Sequence, residues 1–173
     1  MIDLAGQIVA GLVNRIQTDL PAIVTARNAM ADVVADGIEA QAPAQVLDHV
    51  PPLEIQTEWP FIGVVRQPSR FEDDTGHSMT GVHTLTVVTF VHEPEQQALV
   101  RRLDRLTTCV VDCVIDGRYI PAASGGDRVA WGVQLGQVRW GDALADVPSD
   151  NDPPQAWITW SEFDIVCRND DDD

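Results

Sequence analysis

The chain has 173 residues, of which 11 are basic and 27 are acidic, and its formal net charge is -16 at pH 7. All of the basic residues are arginine, which excludes chemistry that needs a lysine amine, such as a Schiff base or the lysine of a phosphate-binding loop. The acidic balance argues against sequence-independent nucleic-acid binding and against adsorption to an anionic membrane, since both depend on basic residues.

The length and the hydrophobic share of 45% predict a folded protein with a single α+β domain over residues 1–168. The last residues, 169–173, are expected to form an acidic disordered tail. The three cysteines are an odd number without the spacing of a disulfide framework. The N-terminal residues lack the positive charge of a signal peptide, and no apolar run approaches the roughly 20 residues of a membrane span. We therefore expect a soluble protein with no membrane partner, made in a reducing compartment.

Two helical patterns begin the chain. Apolar residues recur at three- and four-residue intervals over 2–19, and Pro21 is expected to end or kink this helix or to begin the next one. A second pattern, richer in alanine, covers 23–38. Residues 41–58 contain several prolines and are predicted to form an extended connector.

Two strands and the longest helix follow. Runs rich in Val, Phe and Thr predict strands over 60–66 and 81–92, and the polar residues 67–80 between them are expected to form a long loop. A helix is predicted over about 93–116, with Gly117 just past its end. Cys113 lies in its apolar stripe and is predicted to be a small core residue. The stripe consists of Leu99, Leu103, Leu106, Val110, Cys113 and Val114.

Two more strands, over 129–140 and 157–168, complete the pattern, with the acidic segment 141–154 as a loop between them. One face of the last strand is expected to carry Trp157, Phe163, Ile165 and Cys167. One face of the strand before it is expected to carry Val129, Trp131, Val133 and Leu135. The predicted fold class is α+β, with a four-stranded antiparallel sheet, helices packed on one face and the order α(α)ββαββ. The other face of the sheet must be solvated or covered by a partner.

The segment Gly76–Thr80 nearly matches the G-x-S-x-G motif around a hydrolase nucleophile, which would be Ser78 with His77 beside it. That motif needs a buried strand before it and a helix after it, and here a polar loop precedes it and a strand follows. The last glycine is also replaced by threonine. We interpret the match as a coincidence in a loop and predict no catalytic residue.

Two groups of residues contain side chains that can bind metal ions. Four acids and imidazoles near the predicted loop do not have the close spacing of zinc ligands. The segment 150–152 begins like a calcium-binding loop, but the required glycine and final glutamate are missing. We therefore predict no metal and no cofactor. The four residues near the loop are Asp73, Asp74, His77 and His83.

A basic cluster, Arg101, Arg102 and Arg105, lies on the longest predicted helix. One interpretation is an exposed helix face whose charges pair internally with Asp104. The other is an interface with a second subunit or an acidic partner, since the planar arginine side chain binds carboxylates with two hydrogen bonds. Both interpretations stay open from the sequence.

Four features of the sequence occur together in one known family. They are the amphipathic N-terminal helix, the Trp-Pro-Phe-Ile-Gly-Val-Val strand, the strand Thr84–His92 running straight into Glu-Pro-Glu-Gln-Gln-Ala-Leu-Val-Arg-Arg-Leu, and the closing pair of strands. In these features the chain resembles the tail terminator proteins of long-tailed bacteriophages over about residues 2–168. The related head-to-tail connector proteins look similar. Residues 21–50 are longer than the family pattern, and the acidic C-terminal tail is not part of it.

The resemblance implies a structural virion protein that is not an enzyme, located at the tail neck and assembled in the host cytoplasm. It would form a homo-oligomeric ring, expected as a hexamer, that caps the tail tube protein and joins it to the head connector or stopper protein. DNA would pass through without specific binding, because acidic walls repel phosphates over the roughly 8 Å screening length. The candidate channel or docking loop consists of Arg70, Phe71, Glu72, Asp73 and Asp74.

Three other readings remain open beside the tail terminator. The chain could be another neck or head-to-tail connector component. It could be a small hydrolase that uses Ser78, His77 or nearby acids. It could also be an acidic interaction module that binds a basic protein.

Overall fold

The computed structural model describes residues 4–53, 56–73, 79–124, 127–146 and 156–170. Within these residues the protein is a mixed α+β fold in which helices pack against a curled sheet. The helices are α1 (Leu4–Asn28), α2 (Ala31–Asp36) and α3 (Gln96–Ile115). The strands are β1 (Gln45–Leu47), β2 (Phe61–Arg66), β3 (Arg70–Asp73), β4 (Met79–Glu93), β5 (Tyr119–Pro121), β6 (Arg128–Leu135), β7 (Arg139–Trp140), β8 (Leu144–Asp146) and β9 (Ala156–Asp170).

Two strands of 15 residues, β4 and β9, form the axis of the sheet. They pair antiparallel from Thr80 opposite Asp170 to Glu93 opposite Trp157. At about 3.3 Å per residue, each strand is about 50 Å long. On the far side of β4 lie β2 and β3, one after the other, and along β9 lie β6, β7 and β8. The sheet order is β1-β2-β4-β9-β6-β5.

The four predicted strands lie at the centre of this sheet. β2, β4, β9 and β6 are antiparallel neighbours, and the α+β class is confirmed. The predicted strand number is wrong, because the described part of the chain contains nine paired strands. The additional strands have only two to four residues, too few for an alternating pattern to mark them. The sheet is also not purely antiparallel, since β1 pairs parallel with β2.

Several predicted loops contain these short strands. The loop expected over 67–80 includes β3, which pairs with β4, and the loop expected over 141–154 includes β8, which pairs with β9. The connector expected over 41–58 includes β1. At the other end of the chain, β9 runs through Asp170, and residues 171–173 lie outside the described residues.

The first helix continues through Pro21 to Asn28, so neither the helix end nor the helix start that were two of the expectations at this proline is found. The missing proline N–H costs one hydrogen bond, but Leu20 and Val24 on either side are buried, and their burial holds the helix together. The second predicted helix is consequently divided between the end of α1 and the short α2. Gly37, with a φ of +68°, ends α2 in the left-handed conformation that glycine adopts readily.

The main core lies between the helices and one face of the sheet. It combines the apolar stripes of α1 and α3 with inward residues of β2, β4 and β9. The predicted stripe of α3 and the predicted inward face of the last strand are both confirmed. Among the largest fully buried side chains are Ile8, Leu12, Ile16, Ile62, Leu85, Leu99, Leu106, Phe163 and Ile165.

A second, smaller apolar cluster lies on the opposite face of the sheet, which we call the outer face. Neighbouring residues along a strand point to opposite faces, so Phe61 and Phe90 face away from the helices, and their stacked rings lie 4.5 Å apart. The connector crosses this face, and an ideal Cβ at Gly63 would lie 2.9 Å from the carbonyl oxygen of His49. The connector therefore covers part of the outer face.

The strand predicted over 129–140 is interrupted by a bulge. Gly132 has a φ of +63°, and the pairing with β9 shifts register after Trp131. The shift breaks the expected alternation, so Ala130 and Val133 are buried while Trp131 and Leu135 are exposed. The predicted face of this strand is therefore wrong.

The curled sheet brings both of its outermost strands to α1. The Gln17 side chain donates a hydrogen bond to the Val46 carbonyl in β1 over 3.2 Å. On the other side, Arg15 donates to the Tyr119 carbonyl in β5 over 2.6 Å. A single helix thus contacts the two sides of the sheet and fixes its curvature.

We expect Gly11→Ala to destabilise the protein, although alanine is the better helix former by about 1 kcal/mol. An ideal Cβ at Gly11 would lie 2.0 Å from the carbonyl oxygen of Pro121, so α1 would have to move away from β5. The expected loss in the free energy of unfolding, measured with urea, is about 1–3 kcal/mol. Thr18→Ala, at an exposed position of the same helix, is the control and should be neutral or slightly stabilising. Equal stability of the two variants would contradict the close packing.

Candidate functional site

The predicted arginine cluster lies in the first half of α3 and bonds to acids of two other segments. Arg105 donates two hydrogen bonds to the Asp36 carboxylate, over 2.9 and 2.7 Å, and is only 7% exposed. Arg101 donates to the same carboxylate over 3.0 Å. Arg102 forms an ion pair with Glu93 at the end of β4. The cluster therefore holds α2 and β4 against α3.

This arrangement corrects the expected environment of the cluster. One of the two interpretations placed Arg105 on an exposed helix face with Asp104 as the internal partner, but it is buried against a carboxylate 69 residues away. Arg105 also donates to the carbonyl of Ile38, just after α2. The hydrogen bond from Arg105 to the Asp36 carboxylate holds the pKa of Asp36 well below the ordinary value, so this carboxylate is ionised near neutral pH. Arg101 is exposed enough to contact a second subunit, and an interface role for the cluster stays a prediction.

The predicted channel or docking loop begins as a strand. Four of its five residues form β3, and Asp74 lies outside the described residues. In the sheet register Glu72 lies opposite Thr80, which in turn lies opposite Asp170 at the end of β9. The backbone thus places acidic residues of two strands at one end of the β4–β9 pair, which we call the acidic end. The four residues in β3 are Arg70, Phe71, Glu72 and Asp73.

Near this end, a buried histidine joins three segments. His83 Nδ1 lies 2.9 Å from Ser69 Oγ, and its Nε2 lies 2.6 Å from Asn169 Oδ1. The order serine, histidine, asparagine matches that of a nucleophile, a base and an orienting group. The ring is enclosed, however, because both His83 and Asn169 are buried and an ideal Cβ at Gly81 would lie 2.8 Å from Nε2. We interpret the group as a structural tie between β4, β9 and the segment before β3, and His83 is not arranged as a metal ligand.

The part of the chain that the structure describes holds neither a metal cluster nor a membrane-spanning helix. No group of three or more His, Cys, Asp or Glu side chains is placed there to bind a metal ion. None of the described helices combines the length and the apolar character that a bilayer crossing requires. Ser78 and His77 of the nucleophile-like motif lie outside the described residues, as do the acids at 150–152.

The three cysteines are free and buried. Burial raises the pKa of Cys109 and of Cys113 to about 11 and that of Cys167 to about 12. At neutral pH these side chains are thiols, and the thiolate is the nucleophilic form of cysteine. They fill the core as small apolar groups, as predicted for Cys113.

A polar network crosses the middle of the outer face. Arg139 in β7 donates to Glu162 over 2.8 Å and to Asp164 over 3.3 Å, both in β9. Asp164 also accepts a hydrogen bond of 2.6 Å from Thr86 in β4, and Gln67 donates to the Thr86 hydroxyl over 3.0 Å. These bonds connect four segments across the sheet, and they fix Arg139 and the start of β7 against β9.

Directly after this network, the sheet exposes large apolar side chains. β7 and β8 pair with β9 alone among the described strands. In these two strands Trp140 is 51% exposed and Leu144 is 48% exposed. A sheet edge with exposed apolar side chains favours contact with another chain. We call residues 138–146 the β8 edge. Two such short strands have no periodic pattern, so the sequence carries no signal for this edge.

A trough lies on the other side of the molecule, between α1 and β1. Two adjoining cavities of about 440 and 480 Å³ share the residues Gln17, Val46 and Leu47. Among the residues that line them, Asp48 alone is charged, and its side chain is 74% exposed. A hydrogen bond from His49 lowers the pKa of Asp48, so this end of the trough carries a negative charge. We call this feature the α1–β1 trough.

We expect Arg105→Ala to destabilise the protein more than Arg101→Ala. Removal of Arg105 leaves the Asp36 carboxylate and the Ile38 carbonyl without a buried hydrogen-bond donor, whereas Arg101 is largely exposed. The pair also makes stability depend on pH. Because the folded-state pKa of Asp36 is depressed, its contribution is present above the unfolded value of about 3.9 and is lost as the pH falls below it.

Thermal unfolding of the wild type, Arg105→Ala, Arg101→Ala and Asp36→Asn between pH 2 and pH 7 tests both points. Asp36→Asn should remove part of the acid destabilisation that the wild type shows below pH 4. Equal melting temperatures of the two arginine variants would contradict the assigned role of the pair. So would a loss of stability below pH 4 in Asp36→Asn that is as large as in the wild type.

No protein-family model matches the sequence, and no curated protein matches it. Among solved structures, the chain is similar to one from "Virion of native gene transfer agent (GTA) particle", with 15% sequence identity and a TM-score of 0.41. That alignment covers 98% of this chain and 100% of the other.

Proposed function

We propose that the protein is a structural subunit of a phage-type virion, without enzymatic activity, that assembles into a ring. The observation that carries this proposal is the β8 edge, where Trp140 and Leu144 are exposed on strands that, within the described residues, pair with β9 alone. Burial of these side chains against another chain removes apolar surface from water, which favours assembly. A role in assembly therefore accounts for the exposed edge directly.

Within the virion, we propose the position of a tail terminator at the neck. The sequence resemblance to tail terminator proteins supports this position. In that role the ring caps the tail tube and meets the head connector or stopper protein. The subunits are related by rotation about the tube axis, and six copies form the ring.

The acidic end of the β4–β9 pair is the proposed surface toward the DNA channel or the adjoining ring. Glu72, Asp73 and Asp170 lie there by strand register, and the net charge of the chain is -16. Acidic walls repel the phosphates of passing DNA within the screening length, so the DNA slides without binding. Arg70 and Phe71 begin the same strand, and they are the proposed contacts for a docked protein.

Native mass spectrometry together with negative-stain electron microscopy tests the proposed ring. Purified chains of 18.9 kDa are measured over a wide concentration range, alone and in the presence of assembled tail tubes. We expect one closed oligomer of six chains that appears as a ring and binds the end of the tube. Chains that stay monomeric in both conditions would overturn the proposal. In that case, tight salt-sensitive binding to a basic protein would support the acidic interaction module instead.

A further inference from the structure

We infer that Gly141 is the positioning residue of the β8 edge. Its backbone is held against Trp160 of β9, and this contact fixes Trp140 and Leu144 in place before a second copy binds. The edge is therefore a preformed contact, and a side chain at position 141 prevents assembly although the fold persists. This inference rests on the proposed ring and specifies how the chain shapes the surface that the ring uses.

The two exposed apolar side chains of the edge lie on opposite faces of the sheet. Trp140 lies opposite Ser161, whose hydroxyl is 2.6 Å from that of Thr107 in α3, so Trp140 is on the helix side. Leu144 lies opposite Ile158, which packs against the apolar cluster of the outer face. The step from 140 to 144 is four residues, whereas the step from 161 to 158 on β9 is three. The one extra residue is a bulge, and it turns Leu144 to the outer face.

Gly141 directly follows Trp140 in this bulge, and it is held to β9 by three contacts. Its N–H donates to the Trp160 carbonyl over 2.8 Å, and its carbonyl accepts a hydrogen bond of 3.0 Å from the Thr159 hydroxyl. The third contact is with the Trp160 indole, because an ideal Cβ at Gly141 would overlap three atoms of that ring. A residue with a side chain cannot lie this close, so the position requires glycine.

The Trp160 indole is itself kept in place by its neighbours on the outer face. Its ring centroid lies 6.3 Å from that of Phe90, which stacks in turn on Phe61. Both phenylalanines are buried in the apolar cluster of this face. A methyl group at position 141 therefore displaces the backbone of the edge rather than the indole, and Trp140 and Leu144 move with that backbone.

A fixed edge favours association, because little conformational entropy is lost when the contact forms. Trp140 and Leu144 are each about half exposed in the single chain, so a second copy meets these apolar groups already in place. Since they lie on opposite faces, the copy that covers both of them has to contact the edge from both sides. Such a contact depends on the relative position of the two side chains, which the contacts of Gly141 determine.

Native mass spectrometry of two glycine variants tests the positioning role. Gly141→Ala should weaken association at least about 10-fold, because the edge no longer presents its two apolar side chains together. Gly11→Ala is the matched control, since Gly11 is buried in α1 and its substitution lowers stability without changing the β8 edge. This control should assemble like the wild type at temperatures where it is folded, which urea unfolding of each variant verifies.

The Thr159 hydroxyl gives a second test of the same position. Thr159→Val removes the hydrogen bond to the Gly141 carbonyl and should weaken association, by less than Gly141→Ala does. Thr159→Ser keeps a hydroxyl and should assemble like the wild type. In the dilute monomer, amide exchange over residues 138–146 should be faster in Gly141→Ala and in Thr159→Val, with the centre of β4 and β9 as protected as in the wild type.

The outcomes separate the positioning role from the ring. If Gly141→Ala forms rings as readily as the wild type, or leaves exchange over residues 138–146 unchanged, the positioning role is overturned and the proposed ring stands. If Gly11→Ala loses association as strongly as Gly141→Ala, the loss follows from lower stability, and the positioning role is again overturned. If the wild type itself stays monomeric, alone and with tail tubes, the proposed ring fails and the positioning role fails with it.

Discussion

The pairing of β4 with β9 is the constraint on which the rest of the structure depends. The two strands stay in register from Thr80–Asp170 to Glu93–Trp157, and the chain between them forms α3 and the strands that line β9. Inward pairs such as Val87 opposite Phe163 provide the floor of the main core. Loop closure over such long separations costs entropy, which the burial of these apolar pairs must exceed. The helices then pack on a sheet whose length the two strands define.

The length of these two strands also determines which edges of the sheet are left exposed. Two strands of about 50 Å cannot be covered by the short strands beside them without leaving backbone at the sheet edges. On two sides α1 supplies the missing contacts, through Gln17 to β1 and through Arg15 to β5. Along β8 the edge instead ends in exposed Trp140 and Leu144. The proposed assembly follows from this asymmetry, because a second copy can cover the side chains that the described part of the chain leaves exposed.

The elements whose apolar residues recur at regular intervals could be predicted from the sequence. The central strands and the stripe of α3 alternate or repeat clearly enough to be recognised, whereas strands of two to four residues do not. The inward face of β6 was mispredicted because Gly132 introduces a bulge that no local pattern marks. The sequence could not show that Arg105 is buried, because its partner, Asp36, lies 69 residues away and becomes its neighbour only through the fold. The β8 edge could not be predicted for both reasons: its strands are short, and their partner, β9, becomes their neighbour only through the fold.

Amide hydrogen exchange, measured by mass spectrometry on the dilute monomer and on the assembled protein, tests the central claim most directly. We expect assembly to slow exchange in residues 138–146, along the β8 edge. The centre of β4 and β9 should be protected in both states, since its hydrogen bonds lie inside the sheet. Assembly that leaves residues 138–146 as exchangeable as in the monomer, while slowing exchange in α2 or another surface, would contradict the account.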